Sequence, residues 1–165
     1  AHFYGELSYP GNGETQFYKE DILVGYRWHD TRKITPNFAF GHGLSYTSFN
    51  LLNIKSNKKN YNSLGTIKIS CEVKNNGDML GSEVVQVYVG KKKSKVNRAT
   101  KELKGFKKIS ILKGDTKKLE IDIPVDKLAF YDEENSDWNI EKGEYIIYVG
   151  NASDNISKEL KITIR

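Results

Sequence analysis

Beyond Thr47 the apolar and polar side chains alternate with a period of two. TIKISCEVK (residues 66–74) sets Ile67, Ile69, Cys71 and Val73 against Lys68, Ser70, Glu72 and Lys74. KKLEIDI (residues 117–123) sets Leu119, Ile121 and Ile123 against Lys118, Glu120 and Asp122. KELKITIR (residues 158–165) does the same with Leu160, Ile162 and Ile164. Strands with one buried and one wet face read this way. SEVVQVYVG (residues 82–90) and GEYIIYVG (residues 143–150) are apolar on both faces, which puts them at sheet centres. Turn signals separate the runs: NNGD at residues 75–78, KGD at 113–115 and EKGE at 141–144. About seven strands and no convincing helix predict an all-β fold, an antiparallel β-sandwich of the fibronectin type III-like (immunoglobulin-like) kind. Ile69, Cys71, Val87, Leu119, Ile121, Ile147 and Ile162 are expected in its core. Tyr145 opens a late strand just after a glycine turn. That is the place of a tyrosine corner, whose hydroxyl bonds back to upstream backbone.

The first third of the chain reads differently. Gly5, Pro10, Gly11, Gly13, Gly25, Pro36, Gly41 and Gly43 interrupt it every few residues, with aromatics between them. EDILVGYRW (residues 20–28) is the one short apolar piece there and fits a strand or a helical turn. Residues 1–46 are therefore expected to be mostly irregular, without a core of their own, lying along the sandwich or mobile. Residues 47–165 form the sandwich. The opening AHFYGELSYPGNGE reads as the middle of a longer protein.

Composition narrows the function. Charged residues make up 28% and the hydrophobic set 38%, which suits a soluble globular chain and not a disordered one. The net charge of +5 is spread over many lysines, including KKKSK at residues 91–95, and serves solvation. No basic helix or nucleic-acid motif accompanies it, so nucleic acid is not an expected partner. No apolar run is long enough to span a membrane. Cys71 is the single cysteine, which excludes an internal disulfide framework and suits a cytoplasmic chain as well as a secreted one. There is no zinc spacing, no phosphate-binding glycine loop and no nucleophilic triad pattern, so no metal or cofactor is expected. GYRWHD (residues 25–30) crowds Tyr26, Arg27, Trp28 and His29 together. Those four are candidates for domain-interface packing or for contact with a sugar at a substrate entrance.

The stretch FAFGHGLSYTSF (residues 38–49) carries a more specific signal. Its two glycines permit positive φ or close backbone approach, and Phe38, Phe40, Tyr46 and Phe49 offer apolar area for joining one domain to the next. Phe40, Gly41, Gly43, Leu44, Tyr46 and Phe49 also match a Phe-Gly-x-Gly-Leu-Ser-Tyr-Thr-x-Phe junction. The stretch thereby resembles family 3 glycoside hydrolases, the β-glucosidase and β-xylosidase group. In that family the junction ends an α/β sandwich domain and starts a fibronectin type III-like domain. YKEDILVGYRWHD (residues 18–30), VKNNGDMLGSEVVQVYV (73–89), KELKGFKKISILKGDTKKLEIDI (101–123) and LAFYDEENSDWNIEKGEYIIYVG (128–150) extend the resemblance over nearly the whole chain, in order. Asp21 departs from the family's more usual glycine, and Ala39 and Ala99 from its more usual prolines.

The resemblance implies a non-catalytic C-terminal piece of a β-glycosidase, a β-glucosidase before a β-xylosidase. Its partners would be the parent's catalytic domains, with carbohydrate as substrate only in the intact enzyme. Ser136-Asp137-Trp138 matches the family's nucleophile triplet in letters, but that triplet belongs to the barrel domain. Here it interrupts a sandwich pattern, so Asp137 is expected in a turn and Trp138 in sandwich packing. The neighbouring DEEN (residues 132–135) reads as an acidic turn, and no residue is assigned a catalytic role. The alternative reading is an independent carbohydrate-binding or protein-interaction module. Such a module would need exposed aromatics in a row, whereas the strand context of Tyr88, Tyr145 and Tyr148 points to burial.

Overall fold

In the computed structural model, residue 11 and residues 13–165 are described. Residues 1–10 and 12, and the expectations made for them, lie outside the described residues.

Among the described residues, ten strands follow one short helix. The helix, α1, spans Tyr26–Arg32. The strands are β1 (Phe49–Ser56), β2 (Asn60–Tyr61), β3 (Thr66–Asn75), β4 (Gly81–Gly90), β5 (Glu102–Ile111), β6 (Thr116–Pro124), β7 (Phe130–Asp132), β8 (Asp137–Asn139), β9 (Gly143–Gly150) and β10 (Ile156–Ile164). Seven of these are long, as the alternation requires. β2, β7 and β8 are additions of two or three residues, too short to leave a periodic trace.

The sheets have three strands in the order β1-β3-β6 and five in the order β2-β10-β9-β4-β5, with β7 and β8 forming a separate hairpin. Every pair is antiparallel except β2 with β10, which is parallel. β3 follows the alternation without a break: Ile67, Ile69, Cys71 and Val73 are buried between wetter neighbours. The seven core residues expected from the sequence are all buried. They join the valines of β4 and Tyr145, Ile147 and Val149 of β9 in one cluster between the sheets. Each fully buried aliphatic side chain there contributes about 1.5–3 kcal/mol of transfer free energy.

The central strands β4 and β9 are buried on both faces. Val85, Val87 and Val89 face the other sheet. Gln86 and Tyr88 must then point outward, because successive strand residues alternate. They are nevertheless buried, since the segment before β1 lies over them.

Tyr145 forms the expected corner, its hydroxyl donating to the Glu141 carbonyl four residues upstream at 2.7 Å. In β1 the pairing with β3 slips between Leu52 and Lys55. Asn53 takes up the bulge at positive φ and donates from its amide to Glu72 at 2.7 Å.

Candidate functional site

The segment ahead of the sandwich is fastened to the five-stranded sheet by specific bonds. α1 has seven residues and buries none of them fully, so it is not an independently packed unit. Its first residue, Tyr26, accepts the Leu103 backbone N–H on its hydroxyl at 2.7 Å. The ring stacks on Phe40 at 4.8 Å and meets Tyr88 edge-on at 5.8 Å. One turn on, Asp30 pairs with Lys101 at 2.9 Å, both side chains largely buried. Thr31 accepts the Thr100 N–H at 3.0 Å. Arg27 pairs with Glu102 at 3.3 Å, and Asp21 accepts from the Asn97 amide at 3.1 Å. α1 thus caps the start of β5 as an added layer. Of the strand or helical turn that residues 20–28 allow, a helix forms over their last three residues, beginning at Tyr26 and running on to Arg32.

Of the four crowded residues, Tyr26 and Arg27 face the sheet. Trp28 lies under the Arg32 guanidinium, 4.8 Å from ring centre to carbon. His29 donates from Nδ1 to the Ile34 carbonyl at 3.1 Å, which fixes its tautomer and closes the helix end.

The glycine-rich junction crosses the same sheet further along. Gly41 sits at φ +87°, and a Cβ there would come within 2.3 Å of the Gln86 amide. Gln86 donates to the Asn151 carbonyl at 2.5 Å and accepts from the Tyr88 hydroxyl. Asn151 in turn donates to Glu83 at 3.1 Å. The Ser153 N–H reaches across to the Phe40 carbonyl at 2.8 Å. A polar ladder buried on the sheet's outer face therefore holds a loop whose backbone must approach closely. That is why the junction needs glycine at position 41.

Thr47 ends the junction against a second buried amide. Its hydroxyl bonds the Asn75 side chain. Asn75 also accepts from the Gly77 N–H at 3.1 Å and donates to the Met79 and Ile111 carbonyls at 2.7 and 3.1 Å. Gly77 and Gly81 leave room for Thr47, whose side chain lies 2.2 and 2.4 Å from where their Cβ atoms would be. Tyr46, Met79, Leu80 and Leu112 are neighbours in sequence of these groups, so they gather at one end of the sandwich. All are exposed, and Leu44 and Tyr46 reach 95%. The large apolar side chains of the junction thus divide. Phe49 packs on the core and Phe40, 47% exposed, stacks one face on Tyr26, while Phe38, Leu44 and Tyr46 face outward. His42 is an exposed loop residue beside Phe38.

At the opposite edge, Arg98 clamps the β7–β8 hairpin. It pairs with Glu141 at 3.2 Å, donates to the Leu128 carbonyl at 3.0 Å and lies 5.1 Å from the centre of the Phe130 ring. Burial alone would raise the Glu141 carboxyl. The Lys95 N–H, the Ser94 hydroxyl and Arg98 outweigh it and hold the group below its usual range. Burial pushes the Tyr88 hydroxyl well up, with Tyr26, Asp30 and Asp154 adding to it. Burial also pushes Tyr145 up to about 12 and the Cys71 thiol up to about 11.

Two expectations need correction. Trp138 is not a sandwich-packing residue. It is 67% exposed on β8, edge-on to Tyr131 at 5.7 Å. The hairpin forms a sheet of its own, and among the described residues none covers its outward face to bury an indole. Asp137 is not in the turn but opens β8, directly opposite Asp132. A second carboxyl is therefore close, since cross-strand partners have Cβ atoms about 4.5–5.5 Å apart. What the pair lacks is enclosure: Asp137 is exposed, whereas glycoside cleavage needs its carboxyls around a closed sugar site. Among the described residues no group of three or more His, Cys, Asp or Glu could hold a metal ion. No helix among them is long and apolar enough to cross a membrane. Tyr88 and Tyr145 are buried and Tyr148 half-buried, so they form no exposed aromatic row.

Sequence reasoning missed Asn75, Gln86 and Lys101. Each is a polar residue in or beside a strand, and each takes its role from a segment more than 25 residues away, which no local pattern announces.

Comparison with known proteins adds the following. Residues 83–153 match the fibronectin type III-like domain. A β-glucosidase of Bacteroides ovatus, BoGH3A, is 42% identical over 156 residues, covering 94% of this chain and 21% of the relative. The crystal structure of DesR, a β-glucosidase from Streptomyces venezuelae solved with D-glucose, superposes with a TM-score of 0.90 at 33% identity over 98% of this chain and 20% of that one. The GH3 β-glucosidase of Bifidobacterium adolescentis superposes with a TM-score of 0.88 at 33% identity, over 96% and 23%. The chain spans about a fifth of the length of the curated relatives it matches.

Proposed function

The chain carries the fibronectin type III-like region of the family 3 glycoside hydrolases, and from that premise we propose that it is the non-catalytic brace of a retaining, exo-acting β-glucosidase. Residues 1–46 serve as the tail of an α/β sandwich domain and the linker from it; residues 47–165 are the bracing domain. The partners are the catalytic domains of the same enzyme, and carbohydrate is engaged when those domains are present.

The observation that carries this reading is the contrast within the junction. Its backbone and Phe40 are locked to the sandwich by Gln86, Ser153 and Asn75. On the same locked loop Leu44 and Tyr46 stand 95% exposed. Large apolar side chains held rigidly in water are a docking surface, because the ordering cost is met before the partner arrives. Burying each would contribute about 1.5–3 kcal/mol to the joint. Tyr26, Arg27, Trp28 and His29 lie on the helix that continues this layer and form its second edge, at the domain interface or the rim of the substrate entrance.

The test is the double substitution Leu44→Ser with Tyr46→Ser in a β-glucosidase containing this chain. Thermal inactivation should accelerate at least tenfold, with KM and kcat at moderate temperature changed by less than about twofold. Unchanged inactivation would contradict the bracing role.

A further inference from the structure

The β7–β8 hairpin carries a feature that bracing does not use. Tyr131 and Trp138 are direct cross-strand partners, so their rings share a face, and they meet edge-on at 75°. They are 51% and 67% exposed. The flanking pairs, Phe130 with Asn139 and Asp132 with Asp137, take the opposite face, where Arg98 stacks on Phe130. The hairpin is therefore clamped on one side and open on the other. Its tip is fixed as well: Asp132 accepts the Glu134 and Asn135 N–H groups at 3.2 and 3.4 Å and the Asn135 amide at 2.8 Å. Those bonds hold the Asp132 carboxyl below its usual range, the Asn135 side chain first. The Glu133 and Glu134 carboxylates, at the exposed tip beside the aromatic pair, have no side-chain partner among the described residues.

We propose that this hairpin is a sugar-binding platform that takes one pyranose ring of a neutral β-linked gluco-oligosaccharide. A pyranose offers an apolar C–H face to the open face of Trp138. Its rim hydroxyls donate to acceptor-only carboxylates such as Glu133 and Glu134. Tyr131, set at a near right angle, supplies a wall and a phenol hydroxyl. The same ring and acidic tip would attract a cationic side chain, but the surroundings oppose a basic partner. The lysine-rich loop at residues 91–95 is tied to the base of this hairpin through Glu141, which accepts from the Lys95 N–H and the Ser94 hydroxyl at 2.8 and 2.6 Å. A neutral sugar is indifferent to that positive field, and the whole chain carries +5. The gluco configuration rests on the β-glucosidase reading above; the platform chemistry does not.

The experiment is a titration of the purified chain with cellotriose, following the indole N–H resonances of Trp28 and Trp138 by NMR. The Trp138 signal should shift saturably at about millimolar Kd, with Trp28 still. Tyr131→Ala and the pair Glu133→Gln with Glu134→Gln should each weaken binding at least fivefold, and about 0.5 M NaCl should leave it unchanged. Trp138→Ala should abolish the cellotriose-induced shifts of the hairpin backbone amides while the core amide resonances keep their positions. Absence of a saturable shift would overturn the proposal. So would an affinity that Tyr131→Ala leaves unchanged, or a response to a lysine-rich peptide alone that salt removes. The bracing role is read by thermal inactivation, so failure of either reading leaves the other testable.

Discussion

The Lys101 ammonium lies 2.9 Å from the Asp30 carboxylate, and the two side chains are only 12% and 15% exposed. One comes from α1 and the other from the residue before β5, 71 positions apart in sequence. Among the described residues, the pair is the most deeply placed charge contact between the leading segment and the sandwich. It is flanked by Tyr88 and Tyr148, whose ring centres lie 5.9 and 6.0 Å from the ammonium.

Asp30→Ala should be more damaging than its partial exposure suggests. It leaves Lys101 against two aromatic rings without its anion, and removing one partner of a buried pair costs about 3–5 kcal/mol when burial is complete. About 2 kcal/mol is expected here. Chemical denaturation measures it, and limited proteolysis should cut within residues 13–46 sooner than in the parent chain. The replacement of both residues by apolar ones should recover much of the loss.

Gly41→Ala tests the close approach over Gln86. The new Cβ would need to displace the Gln86 amide, which is already committed to Asn151, and would sit at φ +87°. A loss of about 1–3 kcal/mol is expected, with faster amide exchange at Ser153. Gly43→Ala, where a Cβ meets nothing within 4 Å, is the matched control and should cost little.

Tyr145→Phe removes the corner hydroxyl and leaves the Glu141 carbonyl without that donor. The cost should be about 1–2 kcal/mol in thermal or urea unfolding. Because Glu141 also anchors Arg98, the Trp138 resonance should shift although the indole is untouched.

The sandwich should weaken in alkali. The Cys71 thiol titrates at about 11 when folded against a reference of 9.0, and Tyr145 at about 12 against 10.0. Both folded values are raised, so their contribution is whole below the reference values and is lost as pH rises through them. Thermal midpoints should fall from pH 9 towards pH 11, and Cys71→Ala should flatten the first part of that fall. Glu141 works the other way: its folded value is lowered, so its contribution is present above about 4.5 and disappears on acidification.

The strands were legible because β3, β6 and β10 have one dry and one wet face, and alternation records that directly. The exposure of Trp138, expected in sandwich packing, is not legible in the same way: only the docking of neighbours decides whether a strand face is covered, and among the described residues none covers the hairpin on that side. The double burial of β4 was visible as an apolar run, yet its cause was not. Gln86 and Tyr88 are dry because a loop some 45 residues earlier lies on them. The junction motif was recognised as a string; the reason for Gly41 and Thr47 appears when Gln86 and Asn75 are in place.

The central proposal is that this chain braces a glycosidase and does not itself cleave sugars. The direct measurement is release of p-nitrophenol from p-nitrophenyl β-glucoside by the purified chain. Asp132 and Asp137 face each other across an exposed hairpin with no enclosing site, so the expected rate is that of buffer alone. Turnover above buffer that disappears in Asp137→Ala would contradict the account.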